Sequence, residues 1–97
     1  MRHEKHYRRP DGLRVKVVAS LYAKASEPDM FVYSHYVMTC KKASRDWRPV
    51  FDDMADEYRQ LSDDAKRYYI SSRELLVLSR SEIQQAKLEL WEMLKPQ

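Results

Sequence analysis

Residues 13–25, "LRVKVVASLYAKA", decide the fold, and their pattern reads two ways. Val15, Val18, Tyr22 and Ala25 recur at the three- and four-residue spacing of one helical face. Leu13, Val15 and Val17 alternate as the residues of a short strand do. A strand needs partners to be stable, and no second strand-like run stands out in the chain. The helical reading is therefore preferred. The glycine content points the same way. Gly12 is the only glycine in 97 residues, whereas sheets with many tight turns use glycine at positive-φ positions.

Upstream, residues 1–12, "MRHEKHYRRPDG", lack apolar periodicity, and Pro10-Asp11-Gly12 is a chain breaker. These residues read as an extended basic arm. Residues 1–24 hold seven Lys/Arg (Arg2, Lys5, Arg8, Arg9, Arg14, Lys16, Lys24) and two acids, a net +5, while residues 25–97 carry a net −2. Such segregation suits an arm that meets an anionic partner; the plainer alternative is a solvated tail. The arm is Arg-rich like a mitochondrial presequence, but it is not amphipathic.

Downstream, Ser26-Glu27-Pro28-Asp29 has the chemistry of a helix start: a cap, a proline for the first turn and an acid for the positive end. This spacing predicts a helix to about Lys42, with Met30, Tyr33 and Val37 as an apolar stripe. A second helix is predicted from Asp46, with Pro49 in its first turn. Val50, Phe51, Met54, Tyr58 and Leu61 form its apolar face, and Asp52, Asp53, Asp56 and Glu57 its acidic one. Ser62 caps a third helix, with Asp63 and Asp64 at its positive end. Ser79-x-x-Glu82 and Ser81-x-x-Gln84 both have capping-box spacing, so either a fourth helix begins there or the third runs on with a bend. Ile83, Ala86, Leu90 and Leu94 form the next apolar stripe.

Met54-Ala55-Asp56-Glu57-Tyr58-Arg59-Gln60-Leu61-Ser62, followed by Lys66 and Tyr69, resembles the second half of a high-mobility-group (HMG) box. Phe31-Val32-Tyr33-Ser34, with Pro28 before it, is similar to the aromatic cluster of that family's first helix. The resemblance covers roughly residues 26–94. Tyr58 stands where the family usually has Trp, and Tyr68 where Pro is common. The resemblance implies an all-α, L-shaped three-helix domain over residues 26–97, with a long C-terminal helix, preceded by the basic arm of residues 1–25. It also implies minor-groove binding and DNA bending by an apolar wedge. Phe31 is the nearest candidate wedge, and Tyr33, Trp47, Tyr58 and Tyr69 would fill the core where the arms of the L meet.

Chemistry-bearing constellations are sparse. His3 and His6 are three apart and His35 is distant, too few ligands for a metal site. His35 and Cys40 do not make a nucleophile–base pair. The "DDMADE" carboxylates read as a solvated helix face, and there is no glycine-rich phosphate loop. No enzymatic activity, metal or cofactor is expected. Cys40 is the sole cysteine, which fits a reducing compartment, and no apolar run is long enough to span a bilayer. An intracellular location, nucleus or mitochondrion, is expected.

Two functional expectations follow. In the first, the chain is a non-enzymatic architectural protein that binds DNA or RNA. Phosphate contacts would come from Arg2, Lys5, Arg8, Arg9, Arg14, Lys16, Lys41, Lys42, Arg45 and Arg48, with Phe31 as wedge. In the second, it is a helical subunit of a larger assembly, such as a ribosome or a respiratory or ATP synthase complex, held through Leu90, Trp91, Met93 and Leu94.

Overall fold

The computed structural model describes residues 1–50 and 55–96. The all-α expectation is overturned: the first half of the chain is a four-stranded antiparallel sheet, and the HMG-like L of three helices is not formed. The strands are β1 (Arg2–Arg8), β2 (Arg14–Lys24), β3 (Glu27–Cys40) and the short β4 (Arg48–Pro49), in the order β1-β2-β3-β4. Helices α1 (Ala55–Arg59), α2 (Asp63–Glu74) and α3 (Arg80–Leu94) follow.

The strand reading of residues 13–25 wins because the partners exist on both sides. The supposed basic arm is β1, paired with β2 from Arg2↔Ser20 to Arg8↔Arg14. The supposed first helix is β3, paired with β2 through Val15↔Thr39, Val17↔Val37, Ala19↔His35 and Leu21↔Tyr33. The expected boundary at residue 25 falls in the turn joining β2 to β3. From Met30 to Cys40 the chain has no charged residue and is rich in Phe, Tyr, Val and Thr, types that pack well on a pleated surface. Pro10-Asp11-Gly12 breaks the chain as its composition predicts, but it does so as a hairpin connection. The Gly12 N–H donates to Arg9 O at 3.0 Å and the Leu13 N–H to Asp11 Oδ1 at 3.1 Å. Gly12 has φ +87°, the left-handed region that favours glycine; a Cβ there would sit 2.9 Å from Lys42 Cδ, on a flexible side chain that can move aside.

Pleating sends alternate residues to opposite faces. Val15, Val17, Ala19, Leu21 and Val37 point to the inner face, where α3 lays down Ile83, Ala86, Leu90 and Leu94, with Leu78 beside them. The 3.6-residue stripe of α3 is therefore real. Its place differs from one expectation: Leu90 and Leu94 are core residues, fully or almost fully buried, and are not available to a partner. The Ser79 hydroxyl accepts from the Glu82 N–H at 3.2 Å and the Glu82 carboxylate accepts from the Ser79 N–H at 3.0 Å, completing a capping box for α3. Ser62 caps α2 by accepting from the Ala65 N–H at 3.3 Å. α3 is pinned to β1 at its edge by a Lys5–Glu89 ion pair and a bond from the Tyr7 hydroxyl to Glu82 O at 3.4 Å. The helix expected from Asp46 is not continuous, since Arg48–Pro49 pairs with β3. Phe51, Asp52, Asp53 and Met54 lie outside the described residues.

Candidate functional site

The charge follows the architecture. Residues 1–50, which hold the sheet, carry eleven Lys/Arg and five acids, a net +6. Residues 51–97, which hold the helices, carry seven Lys/Arg and ten acids, a net −3. With α3 on the inner face, the outer face displays the other register set: Arg2, Glu4, His6 and Arg8 on β1; Arg14, Lys16, Val18, Ser20 and Tyr22 on β2; Ser34, Tyr36, Met38 and Cys40 on β3.

Glu4 organises the middle of this face. Its carboxylate lies 3.1 Å from Lys16 Nζ, 2.9 Å from Arg2 and 3.2 Å from His6 Nε2. Burial pushes the Glu4 carboxyl up, but hydrogen bonds from Lys16, His6 and Arg2 outweigh it and bring it from an ordinary 4.5 down to about 2. Lys16 is 8% exposed, so this carboxylate offsets much of the cost of burying the ammonium. The same ammonium sits over the Trp47 ring, 4.4 Å from its centroid. The Arg14 guanidinium lies 5.9 Å from that ring, and His6 meets it edge-on at 5.6 Å. Because the folded pKa of Glu4 is depressed, its stabilising contribution is full above pH 4.5 and fades as pH falls toward 2. Denaturation of Glu4→Gln and the parent protein across that range should therefore give stabilities that differ at pH 7 and converge near pH 2.

At the end of the sheet, the β1–β2 hairpin meets the loop from Lys41 to Trp47. Arg14 secures the loop by donating to Lys41 O at 3.1 Å, to Cys40 Sγ at 3.0 Å and to Ser44 O. The buried Cys40 thiol also reaches Ser44 O at 3.2 Å. Arg9 is bonded to Leu76 O at 3.1 Å and paired with Asp11 at 3.2 Å. Around these positioning residues, Arg8, Arg9, Arg14, Lys42 and Arg45 border one open depression floored by Pro10, Gly12, Ala43 and Ser44. Among the described residues, Arg8, Lys42 and Arg45 make no hydrogen bond or ion pair, so their charges face solvent. Lys41 and Arg48 border an adjacent depression with Val50 and Val77.

The expected phosphate contacts thus separate into groups. Arg8, Lys41, Lys42, Arg45 and Arg48 converge at this end, with Arg9 and Arg14 supporting them. Arg2 and Lys16 are held by Glu4 on the outer face, and Lys5 is turned to α3. Phe31 is 54% exposed but nine residues from Cys40 along β3, about 30 Å away at strand rise, so it cannot wedge at this site. Trp91 packs edge-on against Tyr33 at 5.2 Å and keeps 37% exposure, and Met93 is 56% exposed. Trp47, which the HMG resemblance puts in a helical core, lies instead against Lys16 and His6 of the outer face. The signal that marks it is its setting, Arg45-Asp46-Trp47-Arg48, an aromatic between cations.

A second polar group lies between α2 and α3. Burial raises the Glu74 carboxyl above its usual range, opposed by Lys87, and burial with the Lys87 charge lowers the His35 imidazole. Among the described residues no three His, Cys, Asp or Glu side chains come together as metal ligands, and no helix is long and apolar enough to cross a membrane. Comparison with protein-family models, curated proteins and solved structures gave no match to this chain.

Proposed function

We propose that this protein binds nucleic acid through the basic end of its sheet, where the β1–β2 hairpin meets the Lys41–Trp47 loop. The observation that carries the reading is the convergence of Arg8, Lys42 and Arg45, from separate segments, around one open depression with no anionic partner among the described residues. Fixed cations facing solvent attract a polyanion and release its counterions on binding. The net +6 of residues 1–50 against the net −3 of residues 51–97 draws a polyanion to the sheet half of the chain. Three or four phosphate contacts at about 0.7 each give a log–log salt slope of about −2 to −3 for a single strand. Affinity for a fluorescent oligonucleotide, followed by anisotropy, should fall by about 15- to 60-fold between roughly 50 and 200 mM salt. Binding undetectable at the lower salt would eliminate the reading.

A second reading, a protein-contact role, is favoured by the exposed row of Leu88 and Trp91, one turn apart on α3. It is compatible with the first, because that row lies on the helical side of the sheet.

A further inference from the structure

We infer that the nucleic acid is single-stranded and that Trp47 is the platform on which one of its bases stacks; this rests on the nucleic-acid reading above. Lys16 covers one face of the Trp47 ring and is itself fixed by Glu4, so the ring is held in place before any ligand arrives. Trp47 is only partly buried, so with Lys16, Arg14 and His6 against it part of the indole still meets solvent. A partly exposed ring in contact with Lys16 and Arg14, beside three cations that face solvent, combines the two elements that recognise a strand: a stacking surface and phosphate partners. Tyr36 extends the surface, two residues along β3 from Met38, the cross-strand partner of Lys16.

The same geometry disfavours a duplex. Reading a major groove takes a helix or ribbon that presents donors to it. Here α2 carries three acids against three cations and α3 three against two, so neither offers a basic face to a groove. The ribbon that projects past β1, residues 22–31, carries Glu27 and Asp29 against Lys24 alone. Unstacked bases, in contrast, can stack on a single exposed ring without entering a groove.

Trp91→Phe leaves Trp47 as the sole fluorophore of its kind. In this background, an oligothymidylate of about 15 nucleotides, at the upper end of ordinary site sizes, should quench Trp47 emission on binding. The single strand should bind at least about tenfold more tightly than a duplex of equal length at the same salt. Trp47→Leu should weaken single-strand binding by about 5- to 100-fold and change duplex binding less than about twofold, while Trp47→Phe recovers part of the loss. A thermal melt confirms that each variant is folded. Salt-dependent binding without quenching, or unchanged by Trp47→Leu in the folded variant, overturns the stacking proposal and leaves the nucleic-acid reading standing. No binding of either oligonucleotide at roughly 50 mM salt overturns both.

Discussion

Leu90→Ala lowers the unfolding free energy by about 3 to 4 kcal/mol, within the range for deleting a fully buried leucine. Leu90 is 0% exposed and occupies the third position of the α3 stripe, between Ala86 and Leu94, against the inner residues of β2. A helix resting on a sheet cannot collapse readily into the space left, because the sheet's hydrogen bonds fix its surface. The loss is large against the roughly 5–15 kcal/mol that small domains possess. Leu88, two residues away on the same helix, is 62% exposed, and Leu88→Ala should change stability by no more than about 0.5 kcal/mol. Urea denaturation of the pair checks the direction in which α3 faces. Equal effects from both would contradict the packing described.

Replacing Arg8, Lys42 and Arg45 together by Gln has the largest expected effect on binding. Each phosphate contact contributes about 0.7 to the salt slope for a single strand, which at about 50 mM salt corresponds to roughly tenfold in affinity. The triple variant should therefore bind about two to three orders of magnitude more weakly, with a slope nearer zero by about 2. Stability should change little, since none of the three makes a hydrogen bond or ion pair among the described residues. Arg67→Gln, on α2 and 3.7 Å from Asp64, is the matched control and should leave affinity within about twofold. Arg14 is a poor choice for this experiment, because its guanidinium holds the Lys41–Trp47 loop and its loss would confuse folding with recognition.

The helices were legible in the sequence because their signals are local. Ser62 before two aspartates, the Ser79–Glu82 box and the Ile83-Ala86-Leu90-Leu94 stripe each act within one or two turns. The sheet was not, because its signals are relational. β1 alternates charged and polar residues rather than apolar and polar ones: His3, Lys5 and Tyr7 face inward, where Lys5 and Tyr7 bond to α3. Residues Val15 to Ala19 are buried on both faces, so the central strand shows a continuous run and loses the period-2 mark. With β1 hidden, a lone strand at residues 13–25 has no visible partner, and the helical alternative gains weight. Of the residues that carry the HMG likeness, Ser62 is a cap that any helix start can use.

The site was legible as a list of residues and not as a place. Arg8, Lys42 and Arg45 are dispersed in sequence, and the hairpin register of β1, β2 and β3 brings them to one end. The core position of Trp47 is an implication of the HMG resemblance alone, not of any spacing around it. Its true position depends on Lys16 and Glu4, partners that the pleat places on the outer face. Leu90 and Leu94 belong to the apolar stripe of α3, and the sheet beneath them takes the place expected for a partner.

The most direct measurement is a two-dimensional amide and indole NMR titration of the whole chain with oligothymidylate. The account predicts the largest shifts at Arg8, Gly12, Ala43, Ser44 and Arg45 and at the Trp47 indole, with α2 and α3 nearly silent. Shifts concentrated on Leu88 to Met93 and the α2 surface, or no shifts at low salt, would contradict it.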